Sequence, residues 1–124
     1  MTKILVIEDN DKNRYLISFI LKGSGYEVVE AITGEEGVET AVQEYPDLIL
    51  MDIQLPGIDG YETTRRIRAL PAGVKIPIIA LTSYAMTGDR ERALAAGCTG
   101  YVEKPINPDT IIDEIRKFLT ESKG

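Results

Sequence analysis

The stretch Leu48–Gly57, LILMDIQLPG, decides the fold and carries an aspartate where its apolar run ends. Its first four residues are wholly apolar, which is typical of a strand buried on both faces of a parallel sheet. Asp52 follows them, and a Pro-Gly turn comes after Leu55. A carboxylate is costly to bury unless it is paired, bound to a metal or left within reach of solvent. Asp52 is therefore either the point where the chain leaves the core or a residue held there for its chemistry.

Similar short apolar runs alternate along the chain with stretches of helical period. The predicted strands are residues 4–7, 27–31, 48–51, 76–81 and 100–102, and the predicted helices lie around residues 16–21, 35–45, 61–70, 89–96 and 108–119. Gly23 and Gly25 supply a stop for the first helix, and Pro108 suits the first turn of the last. The pattern predicts an α/β fold with five helices, a doubly wound five-stranded parallel sheet in the order 2-1-3-4-5.

Length and composition indicate one ordinary globular domain. The chain has 124 residues, of which 44% are hydrophobic and 27% charged. We expect a core over about residues 3–119 and a frayed end over 120–124. Histidine is absent and Cys98 is the only cysteine. These counts exclude a Ser-His-Asp hydrolase, a His-ligated zinc enzyme, a phosphohistidine carrier and an intramolecular disulfide.

The charge balance and the lengths of the apolar runs limit the possible partners. A net charge of −6 and a pI near 4.7 oppose the broad basic surface that duplex nucleic acid requires. The apolar runs are far shorter than the roughly 20 residues that span a bilayer, and no signal-like segment opens the chain. We therefore expect no nucleic-acid binding, no membrane insertion and a cytoplasmic location.

Three carboxylates are predicted to meet at the carboxyl edge of this sheet. In the order 2-1-3-4-5 the chain reverses between strands one and three, and ligands bind in the crevice outside their carboxyl ends. Glu8 and Asp9 follow the first strand, and Asp52 follows the third. Such acids would repel one another unless a hard cation such as Mg²⁺ neutralised them. The alternative is that each acid caps a following turn or helix, which is worth about 0.3–1 kcal/mol.

The other strand ends supply groups that suit a phosphoryl group. Thr82 ends the fourth strand with a hydroxyl, and Lys104 follows the fifth with a compact positive charge. The alternatives are a threonine that bonds nearby backbone and a lysine on the solvated surface. A carboxylate such as Asp52 can accept phosphoryl as a mixed anhydride. Because the chain has neither a GxxxxGK[ST] loop nor a GxGxxG motif, the phosphoryl donor is predicted to be another molecule.

These motifs together resemble the receiver domain of two-component response regulators, the CheY-like, flavodoxin-like group. The residues that carry the resemblance are Glu8-Asp9, Met51-Asp52, Leu55-Pro56, Gly60, Thr82 and Lys104-Pro105. It implies that Asp52 takes a phosphoryl group from a sensor or hybrid histidine kinase or a histidine phosphotransfer protein. It further implies that Glu8, Asp9, Asp52 and the backbone carbonyl of Gln54 hold Mg²⁺.

The resemblance also implies a switch. Lys104 would contact the phosphoryl group, Thr82 would move to bond it, and Tyr101 would swing inward, with Lys104-Pro105 a cis peptide. The alternative for Tyr101 is an ordinary core aromatic. A bulky Tyr84 suggests a long-lived phosphorylated form, and the stretch 84–89 is similar to stand-alone, division-control (DivK-like) receivers.

The predicted function is a phosphorylation-activated signalling switch, with no catalysis beyond its own phosphorylation and dephosphorylation. Output would pass to an unknown protein on the face of the fourth helix, fifth strand and fifth helix. One alternative is a small Mg²⁺-dependent phosphatase, but Gln54 stands where such enzymes carry a second acid. The other is a receiver-like scaffold that is not phosphorylated. Cys98 is expected near the core, and Arg65, Arg66 and Arg68 are expected on a solvated face.

Overall fold

The computed structural model describes residues 1–73, 75–82 and 88–123. Within these residues the elements are β1 (Lys3–Ile7), α1 (Asp11–Gly23), β2 (Glu27–Ala31), α2 (Gly34–Glu44), β3 (Leu48–Asp52), α3 (Gly60–Arg68), a 3-10 turn (Pro71–Gly73), β4 (Ile78–Thr82), α4 (Asp89–Ala96), β5 (Gly100–Glu103) and α5 (Pro108–Lys123). The strands form one parallel sheet in the order β2-β1-β3-β4-β5, which confirms the predicted fold. No helix in the described ranges has the length and apolar character needed to cross a bilayer.

The core lies in two layers because successive side chains of a strand point to opposite faces of the sheet. One layer combines strand residues such as Leu5, Ile49 and Ile78 with residues from α2, α3 and α4. The other combines Ile4, Leu50 and the remaining inward strand residues with residues from α1 and α5. Every residue of β3 and β4 is buried, so these strands need apolar side chains on both faces. The wholly apolar runs in the sequence follow from this double burial.

Polar caps fix where the first three helices begin. The side chains of Asn10, Thr33 and Asp59 accept hydrogen bonds from backbone amides in the first turns of α1, α2 and α3. Such caps stabilise a helix by about 1 kcal/mol each. Gly60 then lets α3 approach the end of β3 closely, because a Cβ there would lie 2.7 Å from the carbonyl oxygen of Asp52. The start of α3 is thus packed directly against Asp52.

The carboxyl end of the chain is helical to Lys123. A frayed end over 120–124 was expected, but α5 continues to Lys123. Thr120 Oγ1 donates to the carbonyl oxygen of Arg116 at 2.9 Å. Because neither Gly nor Pro occurs in residues 120–123, a helix that has already formed gains one backbone hydrogen bond per added residue. Helical backbone therefore extends over residues 120–123.

Arg68 also differs from its prediction. Arg65 and Arg66 lie on the surface and pair with Glu62, as expected of a solvated face. Arg68 is half-buried because α3 ends there, and its guanidinium reaches past the helix to the segments that precede β4 and β5. Its acceptors are the carbonyl oxygens of Gly73 (2.7 Å), Ile76 (2.6 Å) and Gly97 (2.9 Å) and the hydroxyl of Thr99 (3.2 Å).

Candidate functional site

The three predicted carboxylates meet at the carboxyl edge of the sheet. β1 and β3 are hydrogen-bonded neighbours with Ile7 opposite Met51, so the residues that follow them lie side by side. Glu8 is fully buried and Asp52 is 5% exposed, whereas Asp9 is exposed. One carboxylate oxygen from each lies within 4.8 Å of the others. The topology therefore produces the acidic cluster that the sequence predicted.

Lys104 reaches into the same cluster from the loop after β5. Its Nζ lies 2.7 Å from Glu8 Oε1 and 3.2 Å from Asp52 Oδ2, and its side chain is 13% exposed. The Lys104 backbone amide donates to the carbonyl oxygen of Thr82 at 2.7 Å, and the Lys104–Pro105 peptide is cis, as the resemblance implies. The alternative of a solvated surface lysine was wrong, since the ammonium is enclosed and paired.

The pKa values of Glu8 and Lys104 are shifted by burial and by the carboxylates that lie close together in this cluster. Burial raises the pKa of Glu8, and the hydrogen bond and charge of Asp52 raise it further, while Lys104 lowers it. Burial lowers the pKa of Lys104, but the hydrogen bond to Glu8 and the charges of Asp52 and Glu8 outweigh it, so the net shift is upward. The cluster holds two buried carboxylates and an exposed third, and its one ammonium pairs with the two buried ones. The cluster thus has more negative charge than its own cation can neutralise.

These donors fit Mg²⁺. The ion prefers a few carboxylate oxygens, with water and phosphate oxygens completing an octahedron. The alternative in which Glu8 and Asp9 cap α1 does not hold, because Asn10 is the cap of that helix. Local turn bonds are present: Glu8 Oε2 accepts from the Asn10 amide at 3.4 Å, and Asp52 Oδ1 accepts from the Gln54 amide at 3.1 Å. The second oxygen of each of these two buried carboxylates faces Lys104.

The remaining predicted residues lie around this cluster. Thr82 is the last residue of β4 and is 4% exposed. Tyr101 is partly buried on the edge strand β5, opposite Ala80. Partial burial raises its pKa, followed by the charges of Glu103 and Asp89. The roles of Thr82, Tyr101 and the Gln54 carbonyl remain predictions, and Ser83 and Tyr84 lie outside the described residues.

Arg14 supports the site and was missed by sequence reasoning. Its Nη1 donates to the backbone carbonyl oxygen of Glu8 at 2.9 Å, and its guanidinium pairs with Asp11 and Glu30. The hydrogen bond from Arg14 fixes the position of the Glu8 backbone. The spacing of Asp11 and Arg14 is a visible signal of an i,i+3 pair on a helix. The contact with Glu8 depends on the orientation of α1, which the spacing does not reveal.

An apolar surface adjoins the cluster on the side of α1. Tyr15 is 72% exposed and Phe19 is 66% exposed, and their rings stack with centroids 6.3 Å apart. Beside them is a cleft of about 330 Å³. Its lining residues are Asn13, Leu16, Ile17, Lys104, Pro105 and Ile106. The cleft therefore connects exposed apolar groups of α1 to the lysine of the acidic cluster.

Comparison with known proteins gives one consistent assignment. The sequence profile of the response regulator receiver domain matches residues 4–116. The polar-differentiation response regulator DivK of Brucella ovis is 40% identical over 123 residues, which are 98% of this chain and 100% of that protein.

Solved structures agree with this assignment. The receiver domain of a sensor histidine kinase from Pseudomonas aeruginosa PAO1, with a magnesium ion coordinated in its active-site cleft, superposes with a TM-score of 0.90 at 39% identity, covering 96% of this chain and 98% of that one. A CheY-like receiver domain protein from Methanospirillum hungatei JF-1 superposes with a TM-score of 0.92 at 31% identity, covering 99% and 97%.

Proposed function

The chain belongs to the response regulator receiver domain family, and from this premise we propose that Asp52 is its phosphoacceptor. The protein is a phosphorylation switch of two-component signalling and binds Mg²⁺ at its acidic site. The observation that carries the proposal is the position of Asp52, nearly buried at a strand end, with a carboxylate oxygen 3.2 Å from Lys104 Nζ. A buried carboxylate in an acid-rich cluster costs stability, so a function for it is the simplest explanation.

Each residue of the cluster has a distinct part in the proposal. Glu8, Asp9, Asp52 and the backbone carbonyl of Gln54 hold the metal. When bound, Mg²⁺ neutralises negative charge on phosphoryl oxygens. Lys104, already paired with Asp52, contacts an oxygen of the incoming phosphoryl group.

The transfer itself needs only a phosphorylated histidine on another protein. A carboxylate oxygen of Asp52 forms a bond to phosphorus as the bond from phosphorus to the imidazole nitrogen breaks. The imidazole keeps the electron pair of the broken bond and takes up a proton. The chain's own chemistry is then confined to gaining and losing this phosphoryl group, while the signal is read by a partner.

The switch residues connect the site to the surface. Thr82 stands at the strand end next to Asp52, since β3 and β4 are neighbours with Asp52 opposite Leu81. Its hydroxyl moves to bond the phosphoryl group, and the partly buried Tyr101 on β5 moves inward with it. This shift changes the face of α4, β5 and α5, where Leu94 is 46% exposed, and the downstream protein binds there.

Histidine kinases are the partners of receiver domains of this type. We propose that a sensor or hybrid kinase, or a histidine phosphotransfer protein, docks on the exposed apolar residues of α1. Tyr15, Leu16 and Phe19 provide that surface, and the cleft that includes Leu16 leads to Lys104. Docking there brings a phosphohistidine to the open side of the acidic cluster.

The test is incubation with Mg²⁺ and acetyl phosphate, followed by intact mass measurement. We expect one phosphoryl adduct on the wild type and on Asp113→Asn, a control at an exposed acid of α5. We expect no adduct on Asp52→Asn. An adduct that persists in Asp52→Asn would overturn the assignment, absence of an adduct from the wild type would favour a scaffold, and turnover of unrelated phosphomonoesters would favour a phosphatase.

A further inference from the structure

The helix α4 is held differently at its two ends. It has eight residues, and only the small side chains of Ala93 and Ala96 are buried. At its carboxyl end, the Gly97 carbonyl accepts a hydrogen bond from Arg68, and Cys98 is buried directly after it. At its amino end, the cap is Gly88, which provides no side-chain hydrogen bond. The carboxyl end is therefore fixed to the core, while the amino end depends on contacts made by its first turns.

One such contact is a stacking of Arg92 on Tyr61 of α3. The Arg92 Cζ atom lies 4.5 Å from the centroid of the Tyr61 ring. Tyr61 is 7% exposed and packs in the core layer below α4, so its position is set by α3. Arg92 is exposed, and the attraction of a guanidinium for the face of an aromatic ring holds it over that ring. The pair joins the first half of α4 to α3.

This pair also forms a wall of the cleft next to the phosphoacceptor. The cleft has a volume of about 320 Å³, and its lining includes Arg92, Tyr61, Thr82 and Gln54. Gln54 donates its backbone amide to Asp52, and Thr82 is the residue assigned to bond the phosphoryl group. A rearrangement at Thr82 would therefore take place in the same cleft that Arg92 and Tyr61 line.

We propose that Arg92 stacked on Tyr61 is a latch that favours the unphosphorylated arrangement of α4 and opens when Asp52 is phosphorylated. The Arg68 contact at Gly97 is the fixed end about which the helix moves. The inference rests on the proposed phosphorylation of Asp52. A latch that favours the resting state lowers the population of the competent state, so its loss accelerates phosphorylation.

The experiment compares variants for their rate of phosphorylation by acetyl phosphate at saturating Mg²⁺. Arg92→Met keeps the aliphatic stem and removes the charge, so we expect the rate to rise about two- to fivefold, as loss of an exposed cation–π contact allows. Arg92→Lys and Tyr61→Phe keep the interaction, and we expect them to stay close to the wild-type rate. Arg90→Met is the matched control, since Arg90 is an exposed arginine of the same helix.

Hydrogen exchange of the α4 amides provides a second readout that does not require phosphorylation. We expect faster exchange in the first half of α4 in unphosphorylated Arg92→Met, with the rest of the protein unchanged. An unchanged rate together with unchanged exchange would overturn the latch. Faster exchange throughout the protein without faster phosphorylation would also overturn it, because it would indicate a merely structural contact. If the wild type formed no adduct on Asp52, the proposed function would fail and the latch with it, whereas an adduct on the wild type with no change in Arg92→Met would overturn only the latch.

Discussion

Two partly buried cations lie at opposite edges of the sheet and have opposite surroundings. Lys104, at the carboxyl edge, faces the carboxylates of Glu8 and Asp52. Arg68, at the amino edge of β4 and β5, faces backbone carbonyls and the hydroxyl of Thr99. The pKa of Lys104 is raised because its acidic partners outweigh burial, whereas burial lowers the pKa of Arg68. The carboxyl edge therefore holds more acids than cations, whereas the guanidinium at the amino edge is bound by neutral acceptors.

The surroundings of Arg68 stabilise the fold, whereas those of Lys104 serve the function. Neutral acceptors take four hydrogen bonds from the Arg68 guanidinium, and this arrangement ties α3 to the segments before β4 and β5. The acids around Lys104 exceed what one ammonium can balance, so the site remains ready for a divalent cation and a phosphoryl group. Proteins commonly accept a loss of stability at functional sites of this kind.

The largest expected effect tests how much Arg68 stabilises the amino edge of the sheet. Arg68→Met leaves the carbonyls of Gly73, Ile76 and Gly97 without their donor, and we expect the free energy of unfolding to fall by about 3 kcal/mol. Urea denaturation measures this loss. The matched control is Arg65→Met, which removes an exposed arginine of the same helix and is expected to change stability by less than about 0.5 kcal/mol. Equal effects of the two substitutions would mean that the contacts of Arg68 do not stabilise the amino edge.

The next effect tests the excess of negative charge around Lys104, at the carboxyl edge of the sheet. Mg²⁺ at about 100 times its dissociation constant is expected to raise the free energy of unfolding of the wild type by about 2.7 kcal/mol. Asp9→Asn removes one donor of the cluster and is expected to weaken this stabilisation at the same metal concentration. Denaturation in the presence of Mg²⁺ and of a chelator measures the difference. Equal stabilisation of both proteins would place the ion elsewhere.

A smaller effect of opposite sign is expected in the absence of metal. Asp52→Asn removes one of the buried like charges and leaves Glu8 to pair with Lys104 at 2.7 Å, so we expect the variant to be more stable by about 1 kcal/mol. Urea denaturation with a chelator at neutral pH measures this gain. A loss of stability would mean that the pair between Asp52 and Lys104 outweighs the repulsion between Asp52 and Glu8.

The smallest effect concerns Cys98, which is 5% exposed and lies beside Thr64, with the two side-chain heteroatoms 3.6 Å apart. Burial raises the pKa of this thiol, and Thr64 and Arg68 oppose the shift only in part. The folded protein therefore binds the thiol proton more tightly than the unfolded chain does. Its contribution to stability is fully present below the unfolded thiol's pKa and is lost as the pH rises through the higher folded value.

We expect the wild type to lose stability above about pH 8.5 by a fraction of a kcal/mol more than Cys98→Ala does. Comparison of urea denaturation of the two proteins between neutral and alkaline pH measures this difference. Parallel pH profiles for the two proteins would contradict the burial effect.

Much of the site could be predicted from sequence because a parallel sheet aligns its strand ends. Once β1 and β3 are neighbours, Glu8 and Asp52 must lie close together, whatever the loops do. The resemblance to receiver domains added the cis peptide before Pro105, which the structure confirms. Arg68 was mispredicted because three of its four partners are backbone carbonyls, which have no counterpart in the order of amino acids. The stacking of Arg92 on Tyr61 was missed because it depends on the relative placement of α3 and α4.

The run LILMD and its counterparts were sufficient to predict the strand order as the common one of a few, since continuous apolar strands must be covered on both faces and right-handed crossovers leave few topologies. From that order follows the meeting of the acids at one edge. Tertiary structure decided that Arg68 would face backbone carbonyls and that the ammonium of Lys104 would pair directly with Glu8 and Asp52. The physical reason is that the residue type determines the charge of a side chain, while the polarity and burial of its surroundings arise only when distant segments pack together.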